Sequence, residues 1–172
     1  MKRALIIHGW ESNSSEHWYQ AEKEALEEMG YQVVVPDMPN SAKPVLSEWL
    51  GVVNNFNPDL ESVLIGHSLG VPTILRYLEI SKLSINKAIL LAGFAKDLGM
   101  EELKGFVKAP FDWDRIKKNA NDFIVINQKL DPWVPFEVGQ ELAKNLGVEI
   151  TVAPGDNHFD TMELDLINLH LR

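Results

Sequence analysis

Short apolar runs rich in β-branched residues alternate with stretches of helical periodicity along the chain. Most of these runs are continuous and do not alternate with polar positions, which is typical of strands buried on both faces. They predict six strands, at residues 3–7, 31–35, 61–65, 87–92, 123–127 and 148–152. Because the strands alternate with helices, we expect an α/β fold with a six-stranded, mostly parallel sheet and helices on both faces.

Apolar residues three or four positions apart predict the helices between these strands. We expect the first helix to begin at a cap formed by Ser14 or Ser15 and to end at Gly30. Its inward positions are Trp18, Ala21, Ala25, Leu26 and Met29. Further helices are predicted over residues 45–53, 135–146 and 159–171, the last with Met162, Leu166 and Leu169 inward. Another helix follows the third strand, with Pro72 in its first turn, and continues through Leu78.

The stretch 94–120 interrupts this rhythm, because its periodicity is weak and several of its apolar residues are aromatic. It is too short for a second domain, so it predicts a small flap over one edge of the site. The length of 172 residues suits a single domain over residues 1–172.

Composition and charge narrow the functional classes. The formal net charge of −9 argues against a nucleic-acid partner or an anionic membrane surface. The first apolar run, residues 4–7, is too short for a secretory signal or a membrane span, so we expect a cytoplasmic protein. The chain has no cysteine, which excludes a thiol nucleophile and a disulfide.

The third predicted strand ends in Gly66-His67-Ser68-Leu69-Gly70, and a helical pattern follows at once. Gly-x-Ser-x-Gly between a strand and a helix is the sequence form of a nucleophile elbow. Such a turn packs backbone against backbone at the two glycines and exposes the serine hydroxyl beside a helix N-terminus. There, amide groups and the helix dipole favour a developing negative charge. Ser68 is therefore the candidate nucleophile.

A serine nucleophile needs a base and a carboxylate that orients the base. Reactive groups on a parallel sheet collect after the carboxyl ends of strands. Asp131 follows the fifth predicted strand and His158 follows the sixth, so Ser68, Asp131 and His158 occur in the chain order of an α/β-hydrolase triad.

Other residues compete for these roles. Asp97, after the fourth strand, is the main rival of Asp131, whereas Asp156 and Asp160 are too close to His158 in sequence to reach its far ring nitrogen. His67 precedes the nucleophile, but neighbouring side chains on the elbow point in opposite directions, which predicts a packed structural histidine. The other histidines have no metal-ligand spacing, so neither a metal site nor a cofactor is expected.

The backbone amides of Leu69 and Trp10 are the candidate oxyanion donors, since one follows the nucleophile and the other lies in the loop after the first strand. An aromatic set is the candidate lining of an apolar acyl pocket, although each member alone is more often a core residue. Its members are Trp10, Phe94, Phe106, Trp113, Trp133 and Phe159.

The chain resembles the small serine hydrolases of the retinoblastoma-binding protein 9 family within the α/β-hydrolases. The resemblance covers nearly the whole length and rests on His8-Gly9-Trp10, His17-Trp18, Ile65-Gly66-His67-Ser68, Arg76-Tyr77-Leu78-Glu79, Asp112 to Lys117, Asp131-Pro132 and His158-Phe159. It implies a compact hydrolase without a large lid and the same triad. The retinoblastoma-binding motif of that family contains a cysteine, so this partner is not expected here.

These observations predict a metal-free serine hydrolase, of carboxylesterase type, that cleaves a small ester or related acyl substrate. An amidase, aminopeptidase or thioesterase activity is the alternative within this chemistry. A protein-interaction module that keeps the fold without turnover is the alternative outside it. A serine at the elbow excludes the branches of this fold that use an aspartate nucleophile.

Overall fold

The computed structural model describes residues 1–163 and 165–171. Within this part of the chain, six parallel strands form one sheet in the order β2-β1-β3-β4-β5-β6. The strands are β1 (Arg3–Ile7), β2 (Gln32–Val34), β3 (Ser62–His67), β4 (Ile85–Leu91), β5 (Ala120–Gln128) and β6 (Ile150–Ala153). The predicted α/β class and the six strands are confirmed. The strand order reverses between β1 and β3, which opens a crevice at their carboxyl ends.

Helices cover both faces of this sheet. They are α1 (Tyr19–Glu28), α2 (Leu46–Phe56), α3 (Gly70–Ile80), α4 (Lys104–Val107), α5 (Trp113–Lys118), α6 (Phe136–Leu146) and α7 (Asp165–Asn168), with a 3₁₀ turn over Glu101–Leu103 before α4. No helix in the described part of the chain is both long and apolar enough to cross a membrane.

The strands are continuously apolar because successive side chains enter two different cores. Leu64 of β3 packs with Trp49 and Leu142 on the face covered by α2, α3 and α6. Its neighbours Val63 and Ile65 pack on the opposite face, which α1 and α7 cover. Both faces of the sheet are thus buried, as the sequence pattern predicted.

The start of α1 differs from the prediction. Ser14 and Ser15 lie in a loop, where the Ser14 amide donates to Asp37 Oδ1 at 2.7 Å, and Trp18 occupies the N-cap position. With this later start, Tyr19, Glu22 and Leu26 form the buried face of the helix. Ala21, predicted inward, is exposed, and the acidic Glu22 takes the inward position.

The predicted closing helix over 159–171 is also wrong in extent. Phe159 has a left-handed backbone with φ of 59°, which is incompatible with a helix start there, and α7 spans only Asp165–Asn168. Met162 and Leu166 pack partly buried against the core, as predicted. Leu169 is 64% exposed and does not face inward.

Arg76 of α3 anchors the segment predicted as a flap. Its guanidinium lies 3.6 Å from the Phe111 ring and donates to the backbone carbonyls of Phe106 (2.9 Å), Ala109 and Pro110 (3.2 Å). It also pairs with Glu79 at 2.8 Å. The segment 94–120 is therefore fastened to the helix that follows the candidate nucleophile.

Candidate active site

The turn after β3 has the geometry expected of a nucleophile elbow. Ser68 adopts a left-handed backbone with φ of 52°, between the end of β3 and the start of α3. A Cβ on Gly70 would lie 2.3 Å from the Ile7 carbonyl oxygen, and a Cβ on Gly66 would lie 2.8 Å from the Gly70 carbonyl carbon. Both distances are too short for any side chain, so the close backbone packing at the two glycines is confirmed.

His158 and Asp131 meet after β6 and β5. Nδ1 of His158 lies 2.9 Å from Oδ1 and 2.7 Å from Oδ2 of Asp131. The Asp131 side chain is fully buried and that of His158 is 12% exposed. A carboxylate only accepts hydrogen bonds, so Nδ1 carries the proton and Nε2 is left as the basic nitrogen.

The ionised form of Asp131 is favoured although the group is buried. Burial opposes the charge, but the hydrogen bond and charge of His158 and the backbone amides of Val134 and Trp133 outweigh it and lower the pKa of Asp131. These two amides donate to Oδ1 at 2.9 and 2.8 Å. The carboxylate is thereby fixed against the imidazole.

The rival carboxylates have other surroundings. Asp97 is exposed and accepts a 2.7 Å hydrogen bond from the Gly99 amide. Asp160 lies 3.7 Å from Nδ1 of His17, and Asp156 is exposed. Of the four aspartates weighed from the sequence, the structure brings Asp131 to His158.

The loop after β1 passes directly over the elbow. A Cβ on Gly9 would lie 3.2 Å from the Ser68 Cβ. The buried His8 ring fixes this loop, since Nδ1 donates to the Gly9 carbonyl at 2.8 Å and Nε2 accepts from the Met38 amide at 2.9 Å. Burial lowers the pKa of His8, which favours this neutral form.

The two candidate oxyanion donors lie on either side of this contact. Trp10 follows Gly9 in the loop and lines the same cavity as Ser68, while Leu69 follows Ser68 on the elbow. In the part of the chain that the structure describes, neither the amide of Trp10 nor that of Leu69 donates a hydrogen bond to another residue.

A cavity of about 180 Å³ opens at this end of the sheet, and both Ser68 and His158 line it. Its apolar lining residues are Trp10, Phe94, Leu98, Met100, Leu103, Trp133 and Val134. Its polar lining residues include Glu11, Ser12, His17 and Asp160. Three of the predicted aromatic lining residues, Trp10, Phe94 and Trp133, are thus found at the cavity.

The other three predicted lining residues lie elsewhere, so that part of the prediction is wrong. Phe106 is fully buried in the core with its ring 5.5 Å from that of Trp49. Trp113 packs against Phe111 with a ring separation of 5.3 Å. Phe159 is buried in the core on the opposite face of the sheet. Aromatic character predicts burial, but it does not tell a core position from a cavity wall.

The sequence pattern did not indicate the aliphatic lining residues of the cavity, which are Leu98, Met100, Leu103 and Val134. These residues come from the stretch 94–120 and from the loop after Asp131. Isolated aliphatic residues in irregular segments show no periodicity. Only their position after the carboxyl ends of strands could have indicated that they line the cavity.

His67 is a packed histidine, as predicted. It is 2% exposed, and burial of the ring, reinforced by the nearby His158, lowers its pKa to about 3. Among the described residues, no group of three or more histidine, aspartate or glutamate side chains is placed to hold a metal ion.

Comparison with known proteins identifies the family of the chain. The sequence model of the family described as serine hydrolase matches residues 4–163. YdeN of Bacillus subtilis (strain 168) is 34% identical over 163 residues, which cover 92% of this chain and 86% of YdeN. The protein named serine hydrolase RBBP9 of Rattus norvegicus is 28% identical over 167 residues, which cover 94% of this chain and 89% of RBBP9.

Solved structures show the same fold. The crystal structure of the Bacillus subtilis ydeN gene product superposes with a TM-score of 0.93 at 30% identity, over 99% of both chains. The mouse α/β hydrolase domain-containing protein 10 superposes with a TM-score of 0.70 at 14% identity, over 98% of this chain and 87% of that one, which shows the fold alone. With its family match and its relatives, the chain belongs to the serine hydrolase family, and it has the α/β-hydrolase fold.

Proposed function

We propose that this serine hydrolase is a carboxylesterase for small esters, with Ser68 as nucleophile, His158 as general base and Asp131 as the orienting carboxylate. The observation that supports this most strongly is the hydrogen bond between His158 Nδ1 and the buried Asp131. It leaves Nε2 as the only basic ring nitrogen, on a residue that shares a cavity with Ser68.

In the acylation step, Ser68 Oγ attacks the ester carbon and its proton passes to His158 Nε2. The carbonyl oxygen becomes an oxyanion, which accepts hydrogen bonds from the Leu69 and Trp10 amides. The tetrahedral intermediate then breaks its bond to the alcohol oxygen. This oxygen takes the proton from His158, and the acyl group stays on Ser68.

In the deacylation step, water attacks the same carbon and gives its proton to His158. The second tetrahedral intermediate releases the carboxylic acid, and Ser68 Oγ takes the proton back. Asp131 stays ionised throughout and stabilises the imidazolium that forms in each half-reaction. Its lowered pKa suits this role.

The cavity supports a small acyl group as substrate. Its volume of about 180 Å³ is below the roughly 300–1,000 Å³ of sites for drug-sized ligands. Leu98, Met100 and Leu103 offer apolar contact to an acyl chain and no hydrogen-bonding side chain. Short apolar acyl groups fit this lining better than polar ones.

A panel of p-nitrophenyl esters of increasing acyl length, run beside aminoacyl arylamides, tests the proposal. We expect the highest kcat/KM for short acyl chains, a decline for long ones, and loss of turnover in Ser68→Ala. Turnover of the arylamides without turnover of the esters would instead assign an amidase. Ester hydrolysis that survives in Ser68→Ala would contradict the proposal.

A further inference from the structure

The ring of His67 lies directly beneath the loop that carries His158. The two imidazole centroids are 5.0 Å apart, and His67 also contacts the rings of Trp18 at 6.0 Å, Tyr19 at 5.9 Å and Phe159 at 6.4 Å. His67 is thus enclosed by aromatic side chains from the N-terminal end of α1 and from the loop after β6.

Both ring nitrogens of His67 are hydrogen bonded, and the partners define its tautomer. Nε2 lies 2.8 Å from the backbone carbonyl oxygen of His158, which can only accept, so Nε2 carries the proton. Nδ1 lies 2.6 Å from the Tyr19 hydroxyl and therefore accepts from it. The depressed pKa of His67 agrees with a ring that stays neutral at neutral pH.

The peptide that His67 holds has an unfavourable conformation. His158 and Phe159 both have left-handed backbones, with φ of 56° and 59°. Residues other than glycine rarely adopt this backbone conformation, and they keep it where the surrounding structure holds them in it. Gln128 holds the same turn from the other side, because Oε1 accepts from the amides of Asn157 at 3.2 Å and Phe159 at 3.3 Å.

We propose that His67 is a positioning residue, which ties the backbone of His158 to the elbow so that the imidazole is held between Asp131 and Ser68. His67 is bonded covalently to Ser68 and by hydrogen bond to His158, 91 positions further along the chain. The hydrogen bond therefore connects the residue next to the nucleophile with the backbone of the base. This inference rests on the proposed catalytic roles of Ser68 and His158.

Three variants separate the hydrogen bond from the packing of the ring. His67→Leu and His67→Phe both remove the donor, one with a smaller side chain and one with a larger ring. His67→Gln keeps an N–H group that can donate to the His158 carbonyl. Leu26→Ala, in the same core, is the control for lost stability without a change at His158.

We expect kcat to fall about 10²-fold in both donor-lacking variants with KM nearly unchanged, since a displacement of about 1 Å at a catalytic group costs that much. His67→Gln should recover most of the loss, and Leu26→Ala should keep the wild-type kcat at a temperature where it is folded. The proposal would be overturned if folded His67→Leu or folded His67→Phe kept the wild-type kcat. It would also be overturned if kcat fell as far in His67→Gln as in those two variants.

A second measurement does not depend on turnover. The His158 Nδ1 proton, held against a carboxylate, gives a downfield proton NMR signal, which should be lost or broadened in the donor-lacking variants and kept in His67→Gln. An unchanged signal in folded His67→Phe and His67→Leu would contradict the positioning role. Absence of ester turnover in the wild type, with these NMR changes present, would instead contradict the proposed function alone.

Discussion

Nδ1 of His158 lies within 2.9 Å of both carboxylate oxygens of Asp131, and the Asp131 side chain is fully buried. The backbone amides of Trp133 and Val134 fix the same carboxylate, so its orientation does not depend on the imidazole alone. This pair distinguishes Asp131 from the other aspartates near strand ends.

Asp131→Asn should therefore lower kcat by about 10⁴-fold with the fold intact, because an amide at this position favours the wrong tautomer of the base. Asp97→Asn is the matched control, and we expect turnover close to that of the wild type. Ester hydrolysis by the two purified variants, with circular dichroism as the check on folding, makes the comparison. A large loss in Asp97→Asn with little effect in Asp131→Asn would assign the orienting acid to the loop after β4.

Glu22 of α1 makes stability depend on pH. Its side chain is fully buried, and neither carboxylate oxygen has a hydrogen-bond partner among the described residues. Burial raises its pKa from 4.5 to about 7. Between these values the folded state holds a proton that the unfolded state has lost, so the free energy of unfolding falls as the pH rises through this window.

A shift of this size corresponds to about 3 kcal/mol at pH 8. Glu22→Gln, which cannot ionise, should be more stable than the wild type at pH 8 by about 1–3 kcal/mol and of similar stability at pH 4.5. The exposed Glu24→Gln on the same helix is the control. Urea unfolding at both pH values measures the difference, and equal gains in the two variants would contradict a role for burial.

Arg76 should matter for both stability and substrate binding. Arg76→Met leaves the Glu79 carboxylate and the carbonyls of Phe106, Ala109 and Pro110 without their common donor. Removing one partner of a buried ion pair costs roughly 3–5 kcal/mol. Because the anchored segment also contributes Leu98 and Met100 to the cavity, we expect KM for short esters to rise more than kcat falls.

Denaturant unfolding and steady-state kinetics test this prediction, with the exposed Arg115→Met on α5 as the control. A free energy of unfolding within about 0.5 kcal/mol of the wild type, a difference usual for surface substitutions, would show that the guanidinium is not the anchor.

The sequence predicted the strands and the Asp131–His158 pair because both depend on local signals. Buried parallel strands are continuous apolar runs, and each of the two residues lies in the loop that follows such a run. The elbow is local as well, since the close approach at Gly66 and Gly70 admits only glycine. Features that depend on one strand end or one turn can therefore be predicted from the sequence without knowledge of the fold.

Features that depend on contacts between distant segments were not accessible in this way. The bond from His67 to the His158 carbonyl involves a backbone atom 91 positions away, which leaves no trace in the sequence pattern. Glu22 lies on the buried face of α1 with Tyr19 and Leu26, although a glutamate is normally expected on an exposed face. Phe106 and Phe159 were predicted at the cavity because aromatic residues line acyl sites, but both pack in the core.

Labelling with a fluorophosphonate probe, which reacts with an activated serine hydroxyl, tests the proposed role of Ser68 as the nucleophile. We expect one modified peptide in the native protein, with the label on Ser68. Labelling should be absent in Ser68→Ala and after heat denaturation, because the hydroxyl is reactive only beside its base. A label on another serine, or no label on the folded wild-type protein, would show that Ser68 is not the activated nucleophile.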